Sequence, residues 1–431
     1  MVPLSTPPLR RVRNGVVLIL QLALLGALVG LACAPLNLVD HWQDQLLNRL
    51  PAFTAAGWTP WHIAQVCSPL VVMPVLLALQ ARLWRRGAGS GIPQTMLTLE
   101  EPSRSPELLA ADATVQRMTL WSIASLALFP MGREGPVVQM GAAVAQALRR
   151  RWPRLLQRLS TRNLVAISAG AGLAGGFNTP LMGVVFMAEE LLGSFGAQLI
   201  WPALVVCAFA AEISNLDGQP QFTLGLVSLN PLELNQLLLG AGLGVCGGLL
   251  GGLFARLLLE STRRILPRVR QRPWRGGLLL GALISGLALI SRGASGGDGE
   301  ALMAWILADP VSHHATLVDL VARIVGPCLA LGAGIPGGLI DPAFAIGAII
   351  GDLLTQALDL GGLGLAIGMA GGLAGATQLP VMSLIFALHM AGDQQLLAGV
   401  LMASVIGAYV GKLWIHKPIY HALTDLLQER H

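Results

Sequence analysis

Charge is what this 431-residue chain has little of: Asp, Glu, Lys and Arg make up 12% of it, about half the ~25% of a soluble globular domain. At this length the deficit excludes an ordinary soluble enzyme, a disordered chain and a nucleic-acid-binding surface. Cysteine is sparse and scattered. Cys33, Cys67, Cys207, Cys246 and Cys328 lie mostly within apolar stretches and show no metal-ligand spacing, so they read as small core residues, and no metal or cofactor is expected. What is present instead is a series of charge-free runs, at 14–39, 163–188, 191–211, 235–255, 360–392 and 394–411. Each is near or above the ~18–20 residues of a membrane-spanning helix. The expectation is an all-α polytopic membrane protein. The apolar run ending at Cys33 loosely resembles a lipoprotein cleavage site, but at 15–33 it is too long for a signal-peptide core and further spans follow, so it is assigned as a retained helix.

The few charges are placed unevenly. The net +5 is concentrated in arginines that flank apolar runs: Arg10, Arg11 and Arg13; Arg82, Arg85 and Arg86; a cluster from Arg149 to Arg162; and another from Arg263 to Arg275. Acidic loops at 40–50 and 298–310 lie between. The positive-inside rule then puts the N-terminus and the arginine clusters in the cytoplasm. Nucleic-acid binding by these runs is disfavoured because they border spans.

Glycine is in excess, with 52 residues. Part of that serves close helix contact in a membrane. The rest suggests broken helices, whose irregular backbone survives in a bilayer only when buried in protein or lining a wet cavity.

The halves repeat. Gly172, Leu173, Ala174, Gly175, Pro180, Met182 and Phe186 recur 200 residues later as Gly372, Leu373, Ala374, Gly375, Pro380, Met382 and Phe386. Pro130, Gly132, Pro136, Gly141 and Ala142 recur 206 residues later as Pro336, Gly338, Pro342, Gly347 and Ala348. Duplicated halves with Gly/Pro-interrupted segments mark transporters whose sites lie at the bilayer midplane. A helix starting there offers unpaired N–H groups and the positive end of its dipole to an anion. Proline in the first turn loses no useful donor, and glycine lets backbone approach the ion. Paired anion-facing helix starts are therefore predicted at 132–136 and 338–342, with packing kinks as the alternative.

Five segments in order carry a family resemblance: GSGIPQ at 89–94, GREGP at 132–136, FNTPLMGVVFMAEE at 177–190, GIPGGLIDP at 334–342, and Tyr420. They resemble the CLC family of chloride channels and chloride/proton exchangers, over essentially the whole membrane part. The resemblance implies a CLC-type inverted repeat of tilted and broken helices. It implies chloride bound by the hydroxyls of Ser90 and Tyr420 and by backbone near Gly135, Leu339 and Ile340. Ser90 is expected to cap a helix as well, and Tyr420 taken alone is an interfacial aromatic. Glu134 takes the position of the gating glutamate, which competes with the anion and couples it to protons; an ion pair with Arg133 is the structural alternative. Glu190 takes the position of the internal proton-transfer glutamate of the exchanger branch, against the alternative that Glu189 and Glu190 mark a solvated helix end. Ile340 stands where the family usually has Phe, Gln94 and His389 stand where acids are common, and Asp341 places an unusual charge at the second helix start.

The implied function is chloride/proton exchange, with chloride, protons and the lipid bilayer as partners and no nucleic acid. A passive channel of the same fold is disfavoured by Glu190, and a fluoride/proton antiporter by Ser90 and Glu190. An intramembrane hydrolase is disfavoured because His62, His313, His314, His389, His416 and His421 show no metal spacing beyond the adjacent pair. The expected division is a cytoplasmic segment 1–14, a first repeat 15–215 and a second 225–431, with no cytosolic regulatory domain. A homodimer in a prokaryotic inner membrane, with both termini cytoplasmic, completes the expectation.

Overall fold

The computed structural model describes residues 8–54, 57–215, 233–309, 312–358, 360–392 and 394–429. These residues are almost entirely helical; the one β-bridge among them pairs Gly132 with Gly338. The expected boundary between the halves, 215–225, lies mostly outside the described residues, as do residues 1–7. Helix Pro8–Leu47 runs without a break through residue 14, and its apolar span begins at Val12.

Among the described residues six helices are long and apolar enough to cross a membrane. Their surroundings differ. In the first span one third of the apolar window (33%) is buried, against 72% for Ile340–Leu358. Val16, Leu20, Leu24 and Leu31 of the first span stay exposed, as do Leu278, Leu279, Leu283 and Ile290 of helix Pro273–Ile290. Such apolar side chains are tolerable against lipid or another protein but not against water, so these helices form the membrane-embedded outer wall and the 340–358 segment is enclosed.

Two of the charge-free runs are each long enough for one span yet form two helices. The run at 163–188 breaks after Thr161–Phe177, where Asn178 turns left-handed (φ 49°, ψ 34°). A new helix, Pro180–Phe186, follows. The run at 360–392 breaks the same way, with Gln378 (φ 61°, ψ 29°) between Gly361–Thr377 and Pro380–Ala391. A left-handed residue ends a helix, and the next residue, Thr179 or Leu379, is held out of the helical region by the proline after it.

These breaks are one sign of the repeat. Helices Ala111–Leu126 and Glu134–Arg151 recur as Leu317–Gly332 and Ile340–Thr355, and Ala197–Ser214 recurs as Leu397–Gly411. The packing recurs too. Pro8–Leu47 packs on Thr161–Phe177 and Ala197–Ser214, while Glu233–Gln271 packs on Gly361–Thr377 and Leu397–Gly411. Gly141 backs onto Gly172 in the first half, as Gly347 backs onto Gly372 in the second. The five cysteines are free thiols, three of them buried.

Candidate functional site

The two predicted helix starts meet. Helix Glu134–Arg151 and helix Ile340–Thr355 begin beside each other. They are joined by two backbone hydrogen bonds, Gly132 N–H to Gly338 O at 3.1 Å and Gly338 N–H to Gly132 O at 2.8 Å. Glu134 is fully buried here. Its Oε1 accepts a 2.6 Å hydrogen bond from the backbone N–H of Asp341, across the seam between the halves. Its Oε2 is buried without a hydrogen-bond partner and occupies the space a Cβ on residue 338 would need. A carboxylate thus occupies the amide end of the opposing helix.

The alternative in which Glu134 pairs with Arg133 does not hold. The Arg133 guanidinium turns away to Asp40, stands 3.8 Å from Glu300 Oε1, donates to Gly176 O at 2.7 Å and lies over the Phe177 ring. Asp40 and Glu300 come from the stretches expected to be acidic loops. They are buried instead, Asp40 near the end of a helix and Glu300 at the start of another, and with Asp298 they keep their carboxylates within 4.8 Å of one another. The reason is Arg133: a buried guanidinium needs carboxylates, and they lose less by burial around it.

Ser90 closes the site from the other side. The Gly89 N–H donates to Gly334 O at 2.9 Å, which ties the first motif to the fourth. At Gly135 any Cβ would strike the carbonyl and hydroxyl oxygens of Ser90 and stand 2.8 Å from Gly337 O, so this close approach requires glycine. Ser90 does not cap its helix. Gly91 is the capping residue of Ile92–Glu100, and its N–H donates to Gln94 Oε1 at 2.8 Å. The amide at position 94 therefore supports the loop. Ser90 lines a cavity of about 110 Å³ together with Gly334, Gly337 and Leu339, and Arg270 stands on the same wall.

Tyr420 is fully buried in helix Ile419–Gln428, which packs on helix Ile92–Glu100 just after Ser90. Its ring meets Phe186 edge-on at 6.4 Å, its hydroxyl has no hydrogen-bond partner, and it lies in the field of Glu134, Glu190 and Asp341. It is not an interfacial aromatic.

The two adjacent glutamates have separate jobs. They fall in a π-helical turn, Met187–Leu191. Glu189 accepts the N–H groups of Val381 (3.1 Å) and Met382 (2.8 Å) and so caps helix Pro380–Ala391 of the other half. Glu190 is buried, its Oε1 3.7 Å from His421 Nε2. Neither marks a solvated end.

Sequence reasoning overlooked a second layer. Arg117 donates to the carbonyls of Arg86 (2.9 Å), Ala88 (3.0 Å) and Gly89 (3.0 Å), and bonds Gln139 Oε1. It clamps the Ser90 loop. Arg323 does the same to the loop before helix Glu300–Ala308, through the carbonyls of Ala294 (2.5 Å), Gly296 (2.7 Å) and Gly297 (2.7 Å). The clamped loops match: Gly89-Ser90-Gly91 and Gly297-Asp298-Gly299 both carry two left-handed glycines, at φ 85° and 118° and at φ 65° and 119°. The signal was available, since Arg117 and Arg323 obey the 206-residue offset.

A carboxylate seated on opposed helix starts, inside a duplicated bundle with a bilayer-facing wall, defines a membrane ion-transport protein of inverted-repeat architecture. Comparison with known proteins gives the particular family. The chain belongs to the voltage-gated chloride channel family, whose profile matches residues 70–412. It is 27% identical to the H(+)/Cl(-) exchange transporter ClcA of Yersinia pseudotuberculosis serotype IB (strain PB1/+), over 96% of this chain and 88% of that one. It is also 27% identical to ClcA of Klebsiella pneumoniae (strain 342), over 96% and 90%. Its fold is shared with a slow cyanobacterial Cl-/H+ antiporter, at a TM-score of 0.75 and 21% identity over 95% of this chain and 98% of that one. A CLC-type fluoride/proton antiporter superposes with a TM-score of 0.77 at 23% identity, over 95% and 98%.

Proposed function

We propose that the chain is a secondary active transporter that exchanges chloride for protons across a membrane. One observation carries this reading: the Glu134 carboxylate occupies a first-turn backbone donor, the Asp341 N–H, that an anion would use. The names of the ClcA relatives support it. Chloride binds among the first-turn N–H groups near Gly135, Leu339 and Ile340, with the hydroxyls of Ser90 and Tyr420 completing its shell. Hydroxyls and amides hold a halide without a full counter-charge, so it can leave as readily as it enters. Glu134 competes for this place while ionised. Protonated, it leaves the donors, and the anion takes them. Glu190, buried and 3.7 Å from His421 Nε2, passes protons on a route that chloride does not follow. Arg270 on the cavity wall raises the local anion concentration. We further assign the chain to a prokaryotic inner membrane as a homodimer, with both termini cytoplasmic.

Flux in liposomes tests this. A chloride gradient should drive proton movement by the wild type, and the absence of such movement would overturn exchange. E134Q, which mimics the protonated acid, should conduct chloride without driving protons. E190Q should keep chloride flux and lose proton flux. Parallel efflux of fluoride should be slower than that of chloride.

A further inference from the structure

We propose that Asp341 is a second proton-binding group in the anion path, and that the anion occupies the paired helix starts only while the Asp341 carboxyl is neutral. This rests on the reading that these helix starts hold the anion.

Asp341 is the second residue of helix Ile340–Thr355 and is buried. Its backbone N–H seats Glu134, while its own Oδ2 is enclosed without a hydrogen-bond partner. The side chain does not point away from the site. A Cβ placed on Gly132 would lie 2.5 Å from Asp341 Oδ2 and nearer still to Glu134 Oε2. The two oxygens are therefore no more than about 5 Å apart, within the range where one like charge disfavours another.

Among the described residues no cation forms an ion pair with either carboxylate, and Arg133, whose charge reaches both from a longer range, is engaged by Asp40 and Glu300. Asp298 adds a third carboxylate beside those two. Arg323 is spent on three carbonyl groups. Tyr420, on the remaining helix, offers a hydroxyl, and beyond it stand Glu190 and His421. Two ionised carboxylates cannot share such an enclosure, so the pair holds a proton with Glu134 seated as described here.

The same constraint passes to the anion. Chloride carries the charge Glu134 carried and takes its donors. An ionised Asp341 would repel it. A protonated Asp341 offers an O–H donor in its place. Asp341 thus turns from a repeller into a ligand by taking one proton, and anion binding takes up that proton from solution. An acid in the first turn of a helix can also be there only to complement the helix dipole; that role makes no demand on chloride.

The test uses the purified full chain in detergent, with chloride titrated calorimetrically from pH 5 to pH 8. The background is E134Q, which removes the titration of Glu134. Chloride affinity of E134Q should fall by about tenfold per pH unit once Asp341 ionises, and about one proton should be taken up per chloride bound above that point. E134Q/D341N should bind chloride with a Kd constant within about twofold over the range; E134Q/D341A serves if the Asn variant does not fold. A flat E134Q profile without proton uptake, or an undiminished slope in the double variants, overturns the proposal. Glu190 and His421 would be the sources of a slope that survives. Absence of chloride binding by every variant at every pH would instead overturn the anion-site reading, and this inference with it.

Discussion

Two backbone positions, Gly132 and Gly338, decide where the Glu134 carboxylate can sit. At Gly338 a side chain would overlap Oε2, and this oxygen has no hydrogen bond to hold it against a competitor. Forcing a methyl into such a space costs roughly 1–3 kcal/mol, enough to lower the seated population by about tenfold or more. G338A should therefore behave as a protein with its acid permanently displaced. Proton flux per chloride should fall by about tenfold, while chloride flux persists. The liposome assay checks this, and normal coupling in G338A would contradict the described seat. The sequence made Glu134, Ser90, Glu190 and Tyr420 legible because each is of a chemically distinctive type in a distinctive motif. It could not make the partner of Arg133 legible. Asp40 and Glu300 are 260 residues apart, and ordinary-looking acids reveal their burial only in three dimensions. Asp341 was legible as an oddity, but its meaning required its orientation.

Among elements, the glycine-lined contacts do the most to set the geometry. Helices Ile340–Thr355 and Gly361–Thr377 touch through backbone: a Cβ on Gly372 would stand 2.5 Å from Gly347 Cα. In a bilayer, where lipid is as apolar as leucine, such close packing is a main source of helix association. G372V should lower the thermal unfolding temperature and reduce chloride flux together, with a stability loss of roughly 1–3 kcal/mol. G286A, in a helix position where nothing lies within 4 Å, should leave both unchanged. A scanning-fluorescence melt on both variants checks this. The element boundaries were readable where proline and glycine wrote them, at 132–136 and 338–342. The apolar runs at 163–188 and 360–392 were harder. Their hydropathy is uninterrupted, and only the left-handed Asn178 and Gln378 divide them. The arginine clamps were missed because a lone arginine inside a helix gives no local signal; only the offset links Arg117 to Arg323.

At the scale of the whole molecule, duplication was legible from coinciding prolines and glycines. What it left open was how the halves engage. They do so through extensive contacts: helix Ser68–Arg82 lies along Pro273–Ile290, Glu189 caps a helix of the second half, and the Gly132–Gly338 pairing joins the centre. Separately expressed chains ending at residue 215 and beginning at residue 233 should therefore co-purify from detergent and recover chloride flux on reconstitution. Failure of the pieces to associate would mean that the contacts between halves are weaker than their geometry indicates.

The seam between the halves has a mechanical consequence. Gly132 and Gly338 stitch the repeats together at the point where Glu134 is seated, so the halves cannot rock apart without tearing that seat. A carrier built this way has no large hinge to spend time on. Its exposure to one face or the other must change through the swing of a carboxyl group and small adjustments of its neighbours, while the scaffold stays still.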